Sequence, residues 1–313
     1  MRKVFLSLAV LASSVASAQL VNVGSIEKIN LPSGVRTIES VMSPDGSFAV
    51  INAAGSLQKV DLATGKIVKI ADDASSGMEI SKDGNTLIYE QSVFKDKLRY
   101  TNLKSVNLNN GKESTLVNAS RNLQGYALSK NSVGAVDNGK YTAKSLNSAA
   151  PSLVTVASIK AGALIVSVNG VSNNISPQGT TGQSYLWPSV SPDGKKVLYY
   201  LCGEGAFVCN LDGSNPVSVG MMRAPKWYNN NIVVGMHDED NGDYVTGSKL
   251  VASSVDGKVK QDLTQVSSMA MYPSVAANGS KVSFVTPAGE LFILNINLNH
   301  VFQRYILILI SQI

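Results

Sequence analysis

An all-β ring of repeated antiparallel sheets, a six-bladed β-propeller of four-stranded blades, is what this sequence predicts, and three observations carry the prediction. A turn phrase returns along the chain as Ser43-Pro44-Asp45-Gly46, Ser81-Lys82-Asp83-Gly84 and Ser191-Pro192-Asp193-Gly194, each followed at once by a β-rich run. Proline sets φ for the first turn position, aspartate bonds the backbone ahead of it and glycine supplies φ > 0, so each copy is a tight turn between two strands. Successive units stand about 40 to 60 residues apart, the period of propeller blades and longer than that of helical or leucine-rich solenoids. Apolar residues also alternate, as in Lys196-Val197-Leu198-Tyr199-Tyr200 and Lys281-Val282-Ser283-Phe284-Val285, instead of recurring at three and four as a helix requires.

The chain opens on a secretion address. Arg2 and Lys3 are followed by an apolar stretch from Val4 to Val15, too short to span a bilayer, and by Ala16-Ser17-Ala18, a cleavage site before Gln19. The expectation is an exported protein, periplasmic or secreted, with residues 1–18 removed, no lipid anchor, since no cysteine follows the cleavage site, and no integral membrane segment. Residues 19–300 then form one propeller domain. Besides the three strong turns, Ser129-Lys130-Asn131-Ser132, Tyr228-Asn229-Asn230-Asn231 and Ala276-Ala277-Asn278-Gly279 complete a series of six. Second turns trail them at Ala63-Thr64-Gly65, Asn109-Asn110-Gly111, Asp212-Gly213 and Asp256-Gly257, so each unit reads as four strands. The third unit, Arg121 to Gly179, holds more strands than a blade needs, and an extra hairpin is expected around Ala163–Val168 and Val171–Ile175. Leu20 to Leu31 and the aliphatic segment 301–313 compete to be the strand that closes the ring.

The string Trp187-Pro188-Ser189-Val190-Ser191-Pro192-Asp193-Gly194-Lys195-Lys196-Val197-Leu198-Tyr199-Tyr200 resembles the repeat of the TolB-like six-bladed propellers, the WD-like repeats of Gram-negative envelope proteins. The likeness runs over roughly residues 39 to 297. It implies an exported envelope propeller that binds other molecules. TolB itself carries an α/β domain ahead of its propeller, and the interval from Gln19 to Glu39 is too short for one, which argues against a role in the Tol–Pal system.

The net charge of +5 falls to +3 when the two charges of Arg2 and Lys3 are removed, and lysine and arginine are scattered, so a nucleic-acid surface is not indicated. The two cysteines, Cys202 and Cys209, flank Gly203-Glu204-Gly205-Ala206. A wide hairpin loop would bring their sulfurs across from each other in an oxidising compartment, whereas a tight turn would set them diagonally and beyond bridging distance.

Catalytic constellations are scarce. The chain has two histidines, His237 and His300, and no Gly-x-Ser-x-Gly nucleophile turn. The segment His237-Asp238-Glu239-Asp240-Asn241-Gly242-Asp243 offers Asp238, Asp240 and Asp243 as weak metal candidates, but it fails the EF-hand pattern and reads better as a solvated hairpin loop. No cofactor is implied. Aligning the units on their turns puts Met42, Ile80, Leu128, Val190, Trp227 and Val275 in one apolar column, which places Trp227 in the core. Three positions earlier stand Glu39, Gly77, Gly125, Trp187, Ala224 and Tyr272, where each inner strand enters the ring. Trp187 and Tyr272 can stack on a sugar or a peptide side chain, with Glu39 accepting hydrogen bonds. The expected function is that of a monomeric, non-catalytic binding or scaffold module that recognises an envelope protein or a glycan at the channel mouth. The alternatives are a carbohydrate lyase or hydrolase on a propeller and a purely structural envelope component.

Overall fold

The computed structural model describes residues 19–299, and the expected secretion signal and the segment 301–313 lie outside them. Seven antiparallel sheets follow one another along the chain. Blade 1 is Glu39–Met42, Phe48–Ala53, Ser56–Asp61 and Ile67–Ala71; blade 2 is Ala74–Ile80, Thr86–Lys95, Leu98–Asn107 and Glu113–Ser120. Blade 3 has three strands, Leu123–Leu128, Ser132–Asp137 and Lys140–Ser145, and so has blade 4, with Val156–Lys160, Ala163–Val168 and Val171–Asn174. Blade 5 is Tyr185–Val190, Lys196–Leu201, Gly205–Asn210 and Val217–Gly220; blade 6 is Arg223–Trp227, Ile232–Asp240, Val245–Ser254 and Lys260–Asp262. Blade 7 takes Met271–Val275, Lys281–Val285 and Leu291–Leu298 from the end of the chain and Val21–Ile29 from its beginning.

The ring is closed by the N-terminal strand, whose Val21 pairs with Leu298 and Ile29 with Leu291. Blade 7 meets blade 1 through the Met42 N–H donated to Ser274 Oγ at 3.0 Å and through the hydroxyls of Ser40 and Ser283, 3.0 Å apart. Blades pack face to face on apolar side chains. Between blades 6 and 7, for example, Ile232, Val234, Met236 and Leu250 bury against Val282, Phe284 and Leu294, with Leu20 and Val21 sealing the edge.

The expectation of six blades is corrected to seven, and of four strands throughout to five such blades and two with three. The crowded third unit is two blades. The inner strand of the added blade, Val156–Lys160, turns back through Ala161 and Gly162, both left-handed at φ 49° and 81°. That is a two-residue hairpin turn, which carries none of the Ser-x-Asp-Gly chemistry by which the other units announce themselves.

That chemistry is explicit in blades 1, 2 and 5. Ser43 Oγ donates to Asp45 Oδ1 (2.7 Å) and accepts the Phe48 N–H (3.0 Å), while Asp45 accepts the Ser47 N–H (3.0 Å). Ser81 and Asp83 repeat the pattern, as do Ser191 and Asp193. The closing glycines Gly46, Gly84 and Gly194 lie at φ 72°, 74° and 74°. Hydrogen bonds from Ser47 and Ser43 hold the Asp45 carboxyl below its ordinary range. At Asp83 and Asp193 burial pushes the other way, and bonds from the paired serine and the following backbone outweigh it.

Blade 3 replaces its missing strand with side-chain bonds to the following coil, and the coil that leaves blade 4 is held by the inner strand of blade 5. In blade 3 the Tyr141 hydroxyl donates to Val154 O (3.0 Å) and accepts the Val154 N–H (2.8 Å), and Ser132 Oγ accepts the Ser152 N–H (2.8 Å). Beside blade 4, the Tyr185 hydroxyl accepts the Gln178 N–H (3.0 Å) and donates to Gly179 O (2.9 Å).

Candidate functional site

Register places the aligned entry positions at the end of the inner strands opposite the Ser-Pro-Asp-Gly turns. In blades 2, 5, 6 and 7 the ladder skips there, between Ser76 and Glu79, Leu186 and Ser189, Arg223 and Lys226, and Met271 and Ser274. The residue held in each skip is left-handed: Gly77 at φ 68°, Trp187 at 48°, Ala224 at 45° and Tyr272 at 50°. A bulge of this kind takes a residue out of the ladder and re-aims its side chain. For a tryptophan and a tyrosine that backbone region is strained, and strain of this sort collects at functional positions.

Trp187 lies against Tyr200, ring centroids 5.4 Å apart and tilted by 58°, and keeps 36% of its surface exposed. The Arg223 guanidinium stands 5.9 Å from its ring centroid and is pinned by Asp238 at 2.8 Å. Asp238, whose side chain is 6% exposed, also accepts from Ser248 Oγ at 2.8 Å. Tyr272 is 42% exposed, and its N–H meets Met236 Sδ at 3.3 Å. Ile38, Leu186 and Met221, flanking the entries to blades 1, 5 and 6, are exposed on the same face. Two hairpins stand above it. In blade 2 the pairing continues from Ser92 and Thr101 to Lys95 and Leu98, past the last inner-strand partner Gln91, and in blade 6 it continues from His237 to Asp240, past Met236. Phe94 and Tyr244 are exposed near their tips.

Glu39 lies at the rim of the lumen, where it meets groups that the alignment did not single out. Burial raises its pKa, while Lys226 and the backbone N–H groups of Met78 and Gly77 pull it down. Glu79 is exposed to the water of the lumen, and the desolvation imposed by the protein around it pushes its carboxyl up to about 7, against the pull of Lys226. Glu90 is raised by burial and by Glu39, with Arg99 opposing. The Tyr126 hydroxyl donates to Gly77 O, and burial together with Glu79, Glu90 and Glu39 raises its pKa. The centre of this set is Gly77: a Cβ there would run into the Tyr126 hydroxyl and would stand 2.9 Å from Glu90 Oε1. A lumen cavity of about 310 Å³ adjoins it, lined by Glu79, Tyr126, Pro188, Ser189 and the turn residues Ser191 and Pro192. A larger cavity, about 480 Å³, lies away from the lumen against Phe284, Phe292 and Met269. Its carboxylate, Glu290, is paired with Lys28 at 2.6 Å.

The three sequence-predicted residues thus share one face but stand on separate blades. Trp227 is half-buried, less than a core position implies; it packs on Leu198, Val208 and Val233, and its Nε1–H reaches Ser189 O at 3.4 Å. Cys202 and Cys209 are free. Leu201 pairs with Gly205 across a tight hairpin, which sets Cys209 opposite Val197, five residues down the strand from Cys202. That corrects the bridged alternative. Of the metal candidates, Asp238 is committed to Arg223 and Ser248, Asp240 accepts the Gly242 N–H (3.0 Å), and Asp243 donates its own N–H to Asn241 Oδ1 (3.1 Å). Among the described residues no three His, Cys, Asp or Glu side chains gather as a ligand set.

No family model matches the chain, and no curated protein matches it either. Solved structures do. A protein assigned as TolB from Agrobacterium tumefaciens is 16% identical with a TM-score of 0.56, over 88% of this chain and 96% of that one. The fold shared with it is the β-propeller. An oligogalacturonate lyase from Vibrio parahaemolyticus matches at 13% identity and a TM-score of 0.55, over 88% and 97% of the two chains. A chain of the mitotic checkpoint complex matches at 8% and 0.60, over 94% and 98%. Identities this low carry the fold and leave function to the site.

Proposed function

We propose that the protein is an exported, non-catalytic binding propeller, one domain over residues 19–300, that takes its partner at the face carrying Trp187, Tyr272 and Glu39. The observation that carries the reading is the state of Trp187. Its ring is braced from beneath by Tyr200, flanked by a guanidinium that Asp238 holds in place, and still presents over a third of its surface. An aromatic ring fixed before the partner arrives loses little entropy on binding, which is how interface anchors work. Ile38, Leu186, Met221 and Tyr272 extend the apolar area around the lumen, and the two tall hairpins wall it.

The placement in the periplasm or outside the cell rests on the secretion address, and no helix among the described residues is long and apolar enough to cross a membrane. The lyase alternative draws on the fold of two neighbours. His237, the histidine at this face among the described residues, has its Nδ1 2.7 Å from Met221 O, which leaves one ring nitrogen for chemistry. Mature protein immobilised as bait against an envelope extract, in parallel with a glycan array, tests the reading. Trp187→Ala should lose what the wild type retains. Retention of the same partner by the variant would move the site elsewhere.

A further inference from the structure

The partner's chemistry can be read from the contrast between the rim and the lumen of this face. This step rests on the binding reading above. The rim is apolar and aromatic, with Ile38, Leu186, Trp187, Met221 and Tyr272 exposed. The lumen just inside it concentrates carboxylates. Glu39, Glu79 and Glu90 approach from blades 1 and 2, and all three act on the Tyr126 hydroxyl of blade 3. Lys226 acts on Glu39 and Glu79, and Arg99 acts on Glu90. The rim's own cation, Arg223, is already paired with Asp238. Glu39 accepts from the Gly77 backbone and Glu90 Oε1 stands 2.9 Å from where a Cβ on Gly77 would lie, so two carboxylates crowd at one glycine and Glu39 raises Glu90. A group that brings positive charge relieves that crowding, and one that brings negative charge adds to it.

From this we infer that the occupant is a polypeptide segment whose apolar side chains cover the rim while a lysine, an arginine or a terminal amine enters the lumen beside Glu39 and Glu90. An extended segment supplies both chemistries within a few residues. A uronate oligosaccharide, carboxylated at every sugar, meets the lumen with the wrong sign and has no aliphatic side chains for the rim.

The test uses the full mature chain and three probes: a capped peptide Leu-Leu-Lys-Leu-Leu, the same peptide with glutamate in place of lysine, and an oligogalacturonate. Binding is followed by Trp fluorescence and calorimetry at low and moderate salt. The lysine peptide should bind, weaken with added salt, and lose about tenfold or more in affinity in Glu39→Gln/Glu90→Gln, the usual consequence of removing charge partners in a partly desolvated site. Lys226→Gln should tighten it, a gain that a misfolded variant cannot imitate. Equal or tighter binding of the glutamate peptide or the uronate, an unchanged affinity in the double variant, or no binding of the lysine peptide at millimolar concentration overturns the inference. The two readings fail separately. An anionic probe that binds and is lost with Trp187→Ala leaves the mouth as the site and removes its charge preference. Binding of any probe unaffected by Trp187→Ala removes the site itself.

Discussion

Blades 1, 2 and 5 and blades 3 and 4 solve the same structural problem by different means. In the first group a serine and an aspartate in the turn bind three backbone or side-chain donors, the chain reverses within four residues, and a fourth strand covers the edge of the third. In the second the turn chemistry is weaker and the fourth strand is absent. The edge of blade 3 is instead tied to passing coil by the Tyr141 hydroxyl, which donates and accepts at once, and the coil that leaves blade 4 is held the same way by Tyr185 on the inner strand of blade 5. A propeller therefore tolerates incomplete blades when the orphaned backbone groups of the coil find other partners. Its stability should accordingly be concentrated in different atoms in the two regions.

The largest expected effect in that comparison is at Tyr141. Tyr141→Phe keeps the ring and removes both bonds to Val154, leaving an N–H and a C=O in a half-buried segment unpaired, a loss of about 2 kcal/mol. Chemical denaturation checks it, and a change within about 0.5 kcal/mol would mean that the coil does not brace blade 3. Next come the turns. Ser191→Ala breaks bonds to Asp193, Lys195 and Lys196 and should cost about 1 to 2 kcal/mol, whereas Ser129→Ala in blade 3, whose hydroxyl engages Ser132 alone, should cost about half as much. Equal costs would erase the distinction between the two kinds of turn.

Acid should separate the regions as well. Asp45, Asp83 and Asp193 all sit below the ordinary 3.8 in the folded protein. Their contribution is present above that value and is lost as pH falls through the lower folded values. In hydrogen exchange at acid pH, the amides of Phe48, Thr86 and Lys196 should lose protection before those of Val133 and Ala135 in blade 3. The reverse order would contradict the role given to the aspartates.

Glu79 carries the opposite sign. Desolvation raises its carboxyl from 4.5 to about 7 against the pull of Lys226, so the folded state holds the proton more tightly and its stability declines as pH rises across that interval. Because water reaches the group, the effect is small. Glu79→Gln should melt above the wild type at pH 8 by no more than about 2–4 °C, and level with it at pH 4. A difference that does not change with pH would contradict the assignment.

What the sequence revealed and what it concealed follow the same division. The Ser-x-Asp-Gly turns were legible because local side-chain bonding to the backbone makes them, and their alignment carried Trp187, Tyr272 and Glu39 to one face. Blade 4 was illegible as a blade because Ala161-Gly162 turns the chain with backbone angles alone, although its second hairpin, Ala163–Val168 with Val171–Asn174, stood where the alternation placed it. Glu79 and Lys226 occupy the slot one residue before the apolar column, where their charges could have marked the lumen. Tyr126 and Glu90 had no such signal. Tyr126 reaches Gly77 across a blade boundary, and Glu90 comes from a second strand. The bulges that turn Trp187 and Tyr272 out of the ladder are equally silent, since neither residue type favours φ > 0.

The central claim is that the tryptophan at the rim serves recognition and the one beside it serves the fold. Paired thermal melts and lysine-peptide titrations of Trp187→Ala and Trp227→Ala test it most directly. Trp187→Ala should forfeit its ring contact with Tyr200, about 1 kcal/mol, and abolish binding. Trp227→Ala should cost about 3 kcal/mol, the low end for a large ring that is half-buried, and leave the affinity of the folded fraction intact. If Trp187→Ala proves the more destabilising of the two and still binds, its ring is packing and the recognition face lies elsewhere.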